Sequence, residues 1–111
     1  MEKKQFWALV DEARTQVADT EDGEAVASHI TSLLALRPPL EIVAAQRIIW
    51  DLMAESYQAP LWAAAYVMNG GCSDDGFDYF RGWLISQGRM TFELAVTAPD
   101  TLADLAVRRT L

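Results

Sequence analysis

Asn69-Gly70-Gly71-Cys72-Ser73-Asp74-Asp75-Gly76-Phe77-Asp78-Tyr79-Phe80-Arg81-Gly82-Trp83-Leu84-Ile85 is the stretch that decides how this chain folds. Asn69-Gly70-Gly71 offers the left-handed backbone that commonly closes a helix at its C-terminus. Ser73 is a good N-cap for the next helix, because a short hydroxyl side chain accepts from the free N–H groups of the first turn. Asp74, Asp75 and Asp78 favour the positive end of that helix's dipole. Phe77, Phe80 and Leu84 then share one face, flanked by Tyr79 and Trp83, so the spacing predicts a helix to Gln87 with an aromatic stripe in the core.

The same period extends in both directions. Upstream, Phe6, Leu9, Val10, Ala13 and Val17 form one stripe of a helix over residues 3–17. A polar break at 18–23 follows, then a helix over 24–36 that buries Val26, Ile30, Leu33 and Leu34. Pro38 pushes Arg37 out of the α region and ends it. Residues 40–57 give a third helix, whose apolar arc holds Ile42, Ile49, Trp50, Leu52, Met53 and Tyr57. Gln46 lies in the middle of that arc, where a buried amide must find a partner or cost about 1–3 kcal/mol. Pro60 suits the first turn of a fourth helix. Its residues 61–68 are apolar nearly all round, which predicts the central, most buried helix. Downstream, Gly88 breaks the chain, a sixth segment covers 89–97, and Pro99 opens a last short helix. No strand pattern or repeat is present. The expected fold is all-α, a single domain over 1–111 with about five to seven helices around the apolar helix near 60–68.

Composition narrows the function. The 111 residues are 51% apolar, so a self-sufficient core is expected. Sixteen acidic residues against nine basic ones leave a net charge of −7. No basic cluster exceeds a pair, so nucleic acid and anionic membranes are not expected partners. One Cys and one His exclude a disulfide within the chain and any cysteine or multi-histidine metal cage. The apolar run at 59–68 is half the length of a membrane span, and no signal peptide is legible. A soluble, cytoplasmic protein without cofactor or metal is the expectation.

Three chemical readings of the central stretch compete with simple capping. Asp74-Asp75-Gly76-Phe77-Asp78 fits the Asp-Asp-x-x-Asp pattern of isoprenoid synthases, but no second acidic motif faces it and the chain is too small for their cavity. Gly70-Gly71-Cys72-Ser73 resembles an anion nest, yet three aspartates follow it and would repel an anion. Cys72 near a helix start is a candidate nucleophile, but its one available imidazole, His29, sits beside Leu33 and Leu36 on a packing face. On the remaining polar face Asp78 and Arg81 are spaced to pair on the surface. Replacing either is therefore expected to cost less stability than truncating Trp62 or Phe80.

The block Leu61-Trp62-Ala63-Ala64-Ala65-Tyr66-Val67-Met68 with the following residues to Gly88 resembles an uncharacterised bacterial family, domain of unknown function 4240. Phe6-Trp7-Ala8-Leu9-Val10-Asp11-Glu12-Ala13-Arg14, Ala54-Glu55-Ser56-Tyr57 and Pro99-Asp100-Thr101-Leu102-Ala103-Asp104-Leu105 resemble it too. The resemblance implies no activity. It implies that many relatives continue beyond the equivalent of Arg108-Arg109-Thr110-Leu111, so that a surface covered in them is open here. An uncovered apolar patch would favour a homodimer or a partner protein.

The resulting expectation is a non-enzymatic module that binds a protein, peptide or small molecule. Its binding residues would be Asn69, Cys72, Asp74, Asp75, Asp78, Tyr79 and Arg81. The alternative is a small enzyme or enzyme accessory that uses the same aspartates as general base or cation ligands.

Overall fold

Local stereochemistry sets where each helix begins and ends. The computed structural model describes residues 1–102. Its helices are α1 (Lys3–Thr15), α2 (Gly23–Ala35), α3 (Pro39–Glu55), α4 (Ala59–Asn69), α5 (Asp74–Ser86) and α6 (Arg89–Thr97). Residues 99–102 turn helical again. The rest of the segment expected to follow Pro99 lies outside the described residues. No strand occurs among the described residues, and the all-α bundle is as the periodicity predicts.

Caps, prolines and glycines set the helix ends, with Ser73, Pro60, Gly70 and Gly88 acting as expected and Asp22 and Pro39 adding starts not singled out by sequence. Asp22 accepts from the Ala25 N–H at 3.1 Å and starts α2. Pro39 and Pro60 occupy the first turns of α3 and α4. Gly70 adopts φ 68° at the end of α4, and Gly88 adopts φ 98° between α5 and α6. Both are backbone states that a Cβ disfavours, so glycine is required there. Ser73 Oγ accepts from the Gly76 N–H at 3.1 Å and opens α5.

One apolar cluster joins the helices. It includes Phe6 and Val10 of α1, Val26 of α2, Leu52 of α3, Leu61 of α4, Phe77 and Leu84 of α5 and Phe92 of α6. Each large side chain buried there stabilises the fold by about 1.5–3 kcal/mol. Val17, Leu33 and Leu34 are only partly buried against this cluster.

The helix at the centre is α5, which packs against α2, α3, α4 and α6. This corrects the expectation for α4. That helix buries Leu61, Ala64 and Ala65 and leaves Tyr66 and Val67 more than half exposed. An apolar circumference says that a helix lacks a polar face, not that neighbours surround it, and its alanines bury little area. The bulky stripe of α5 recruits more partners.

The third helix departs from expectation too. Ala45 and Leu52 are its buried residues. Trp50 is 65% exposed, Tyr57 beyond the helix end is 53% exposed, and Ile42 is 40% exposed. The apolar arc is wider than the surface its neighbours offer, so part of it faces outward. Gln46 is exposed and needs no buried partner.

Polar side chains of α5 hold the loop between α1 and α2. Trp83 Nε1–H donates to the Glu21 carbonyl at 2.8 Å, and Gln87 Nε2–H donates to the Thr20 carbonyl at 2.9 Å. Gly23 lies so near α5 that a Cβ there would meet Trp83 Cδ1 at 3.0 Å and Ser86 Oγ at 3.2 Å.

Candidate functional site

The seven residues singled out by sequence do not share one environment. Asn69 ends α4 and is exposed. Cys72 is a free, half-buried thiol. Its carbonyl accepts from Trp62 Nε1–H at 2.9 Å, and the Trp62 ring stacks on Phe77 at 5.0 Å between centroids. Those contacts lock the α4–α5 loop onto the core. Asp74, Asp75 and Asp78 are exposed in the first turns of α5, and Tyr79 is 83% exposed.

Arg81 is a correction to the polar face expected of it, because it is only 5% exposed. Its guanidinium donates to the Met53 carbonyl of α3 and to Asp78 Oδ1. The same group lies 4.8 Å from the ring centroids of both Tyr57 and Phe77. A planar cation between two rings, facing a helix-end carbonyl, is a packing element of the α3–α5 contact. Burial follows from Tyr57 and Met53, residues far from Arg81 in sequence.

A feature not singled out by sequence is a groove of about 520 Å3 between α2 and α3. Ala27, Ile30, Thr31, Leu34 and Ala35 of α2 form one wall, and Ile42, Gln46, Ile49 and Met53 of α3 form the other. Its floor is Gly82, Ile85 and Ser86 of α5 with Phe6 of α1. Volume and lining match those of ordinary ligand sites, which are mostly apolar with a few polar groups. Here the polar groups are the Gln46 amide and the Thr31 and Ser86 hydroxyls. The Gln46 side chain makes no hydrogen bond to the described residues, so its amide is available to a ligand.

A second, shallower hollow of about 420 Å3 adjoins the groove. It is lined by Gly23, Glu24, Ala27, Asp78, Tyr79, Gly82 and Trp83, and it shares Ala27 and Gly82 with the groove. Gly82 is exposed, and nothing stands within 4 Å of where its Cβ would be. The acidic start of α5 thus runs into the apolar groove across a bare stretch of helix backbone.

The signal that could have revealed the groove was Gln46. A polar residue in the middle of an apolar arc marks a face that is neither core nor ordinary surface. Metal and nucleophile readings gain nothing from this geometry. Among the described residues no group of three or more His, Cys, Asp or Glu side chains is placed to hold a metal ion. No helix among them is long and apolar enough to cross a membrane.

Neither the curated proteins nor the solved structures contain a match to the chain. The family described as "Protein of unknown function (DUF4240)" matches residues 1–110. With its distinctive block from α4 to α5 inside a match of that length, the chain belongs to the DUF4240 family.

Proposed function

We propose that this protein is a non-enzymatic interaction module whose binding surface is the α2–α3 groove together with the acidic start of α5. The observation that supports the reading is the groove itself: an open, apolar trough between two helices with a free amide on its wall. Asp74, Asp75, Asp78 and Tyr79 belong to the proposed surface as its exposed acidic and aromatic border. Arg81 and the Cys72 carbonyl hold α5 and the loop before it in place, through Met53 and Trp62. A bacterial, cytoplasmic setting is part of the same proposal, motivated by the family resemblance and by a lone cysteine in an acidic chain.

The test is affinity capture with wild type, an Ile42→Glu/Thr31→Arg groove variant and an Asp74→Asn/Asp75→Asn variant, followed by calorimetry with the purified binder. Ile42 and Thr31 are exposed enough to change without emptying the core. A binder held by wild type and weakened at least about tenfold by the groove variant supports the proposal. Identical profiles for all three proteins would sink it.

A further inference from the structure

We infer that the site takes a helical peptide segment, apolar along one face and carrying a Lys or Arg side chain that enters the hollow beside Glu24 and Asp78. The inference rests on the interaction-module reading and adds the chemistry of the partner.

The shape argues for a helix. The groove walls run from Ala27 to Ala35 on α2 and from Ile42 to Met53 on α3. At 1.5 Å per residue those walls are about 12 and 17 Å long, equal to two or three helical turns. Every described element lining the groove is α-helical, so no strand edge among the described residues is present for an extended peptide to pair with. Phe6 is the one aromatic among the described residues that line the groove, which is poor for proline-rich segments that need aromatic-lined slots. Ridges of apolar side chains on α2 and α3 instead suit the i, i+3, i+4, i+7 anchors of an amphipathic helix. Gly82 lets such a helix come close to the α5 backbone, since no side chain occupies the floor there.

The charge argues for a cation at one end. Among the described residues, no Lys, Arg or His lines either the groove or the hollow. Glu24 is exposed and has no ion-pair partner among the described residues, while Asp78 uses Oδ1 for Arg81. The rings of Tyr79 and Trp83 complete the hollow. Trp83 is held by its bond to the Glu21 carbonyl. Carboxylates beside aromatic faces recognise an ammonium or guanidinium group through ion pairing and cation–π attraction. The hollow meets the groove at Ala27 and Gly82, so one helix reaches both.

The experiment is selection from a displayed library of amphipathic helices of about 16 residues, with the positions flanking the apolar stripe randomised. Enriched peptides should carry Lys or Arg near one end and bind Glu24→Gln about tenfold more weakly than wild type. They should lose binding to Ile42→Glu and, independently, to Thr31→Arg, with circular dichroism confirming that each variant is folded. Enriched peptides with no cation, insensitive to Glu24→Gln but lost with Ile42→Glu, overturn the inference and leave the module reading intact. A dimer of the protein in sedimentation that dissolves in Ile42→Glu, with no peptide enriched, puts a second copy in the groove and also overturns it. Monomeric protein that enriches no peptide overturns the inference, and the capture experiment then decides the module reading separately.

Discussion

Arg81 of α5 donates to the carbonyl oxygen of Met53, 28 residues earlier and near the C-terminal end of α3, and so joins the two helices. Carbonyls in a helix's last turn lack intrahelical donors, and a buried one left open is costly. Arg81→Ala leaves the Met53 carbonyl with only the longer bond from Ser56 Oγ–H at 3.2 Å, and it empties the space between Tyr57 and Phe77. We expect a loss of about 3 kcal/mol in chemical denaturation, comparable to Phe80→Ala and unlike a surface substitution. Arg81→Lys should recover less than half of it, because an ammonium cannot lie flat between two rings while serving two acceptors. Asp78→Ala should cost less than Arg81→Ala, since the Asp78 side chain is 56% exposed and water can replace it.

Two glycines on facing helices should respond in opposite senses. Gly82→Ala places a methyl in open space in a helix interior and should stabilise by about 0.5–1 kcal/mol. Gly23→Val pushes against Trp83 and Ser86 and should destabilise by about 1–3 kcal/mol. Thermal melts of the two variants beside wild type decide the pair. If the bare backbone at Gly82 admits a partner, Gly82→Leu will weaken binding while leaving the melting temperature unharmed.

Trp62→Phe isolates a single bond. It keeps a ring against Phe77 but deletes the N–H that the Cys72 carbonyl accepts. A cost of about 1–2 kcal/mol is expected. Reaction of Cys72 with a maleimide probe should quicken as the α4–α5 loop loosens. Unchanged reactivity would mean the loop is held by Ser73 and the glycines alone.

Gly88→Ala tests the strained turn between α5 and α6. At φ 98° a Cβ is strained whatever the surrounding space, and about 1–2 kcal/mol should be lost. The effect should fall on α6 first, seen as faster exchange of its amides.

Most helix limits were legible because they depend on nearest neighbours, although α1 and α3 stop at Thr15 and Glu55, short of the expected 17 and 57. Gly70, Ser73, Gly88 and the prolines dictate local backbone wherever they occur, and α6 spans the 89–97 predicted for it. The core stripe of α5 was legible for the same reason, as Phe77, Phe80 and Leu84 need no knowledge of their partners to share a face. Burial of Arg81 was not legible. Its spacing from Asp78 describes a surface pair equally well, and the acceptor that buries it sits on another helix. The rank of α4 was also hidden, since apolarity does not count neighbours. The groove depends on how far α2 and α3 splay after the Pro38–Pro39 turn, and no residue encodes that angle by itself. Of the candidate site, the acidic border was read from sequence and the trough beside it was not.

The bonds from Trp83 and Gln87 to the Glu21 and Thr20 carbonyls reach across 62 and 67 residues. They make the N-terminal hairpin and the centre of the bundle a single cooperative unit. Amides of α1, α2 and α5 should then report one common opening free energy in native-state hydrogen exchange. The outward-facing α4, which leans mainly on α5, should open on its own at lower cost.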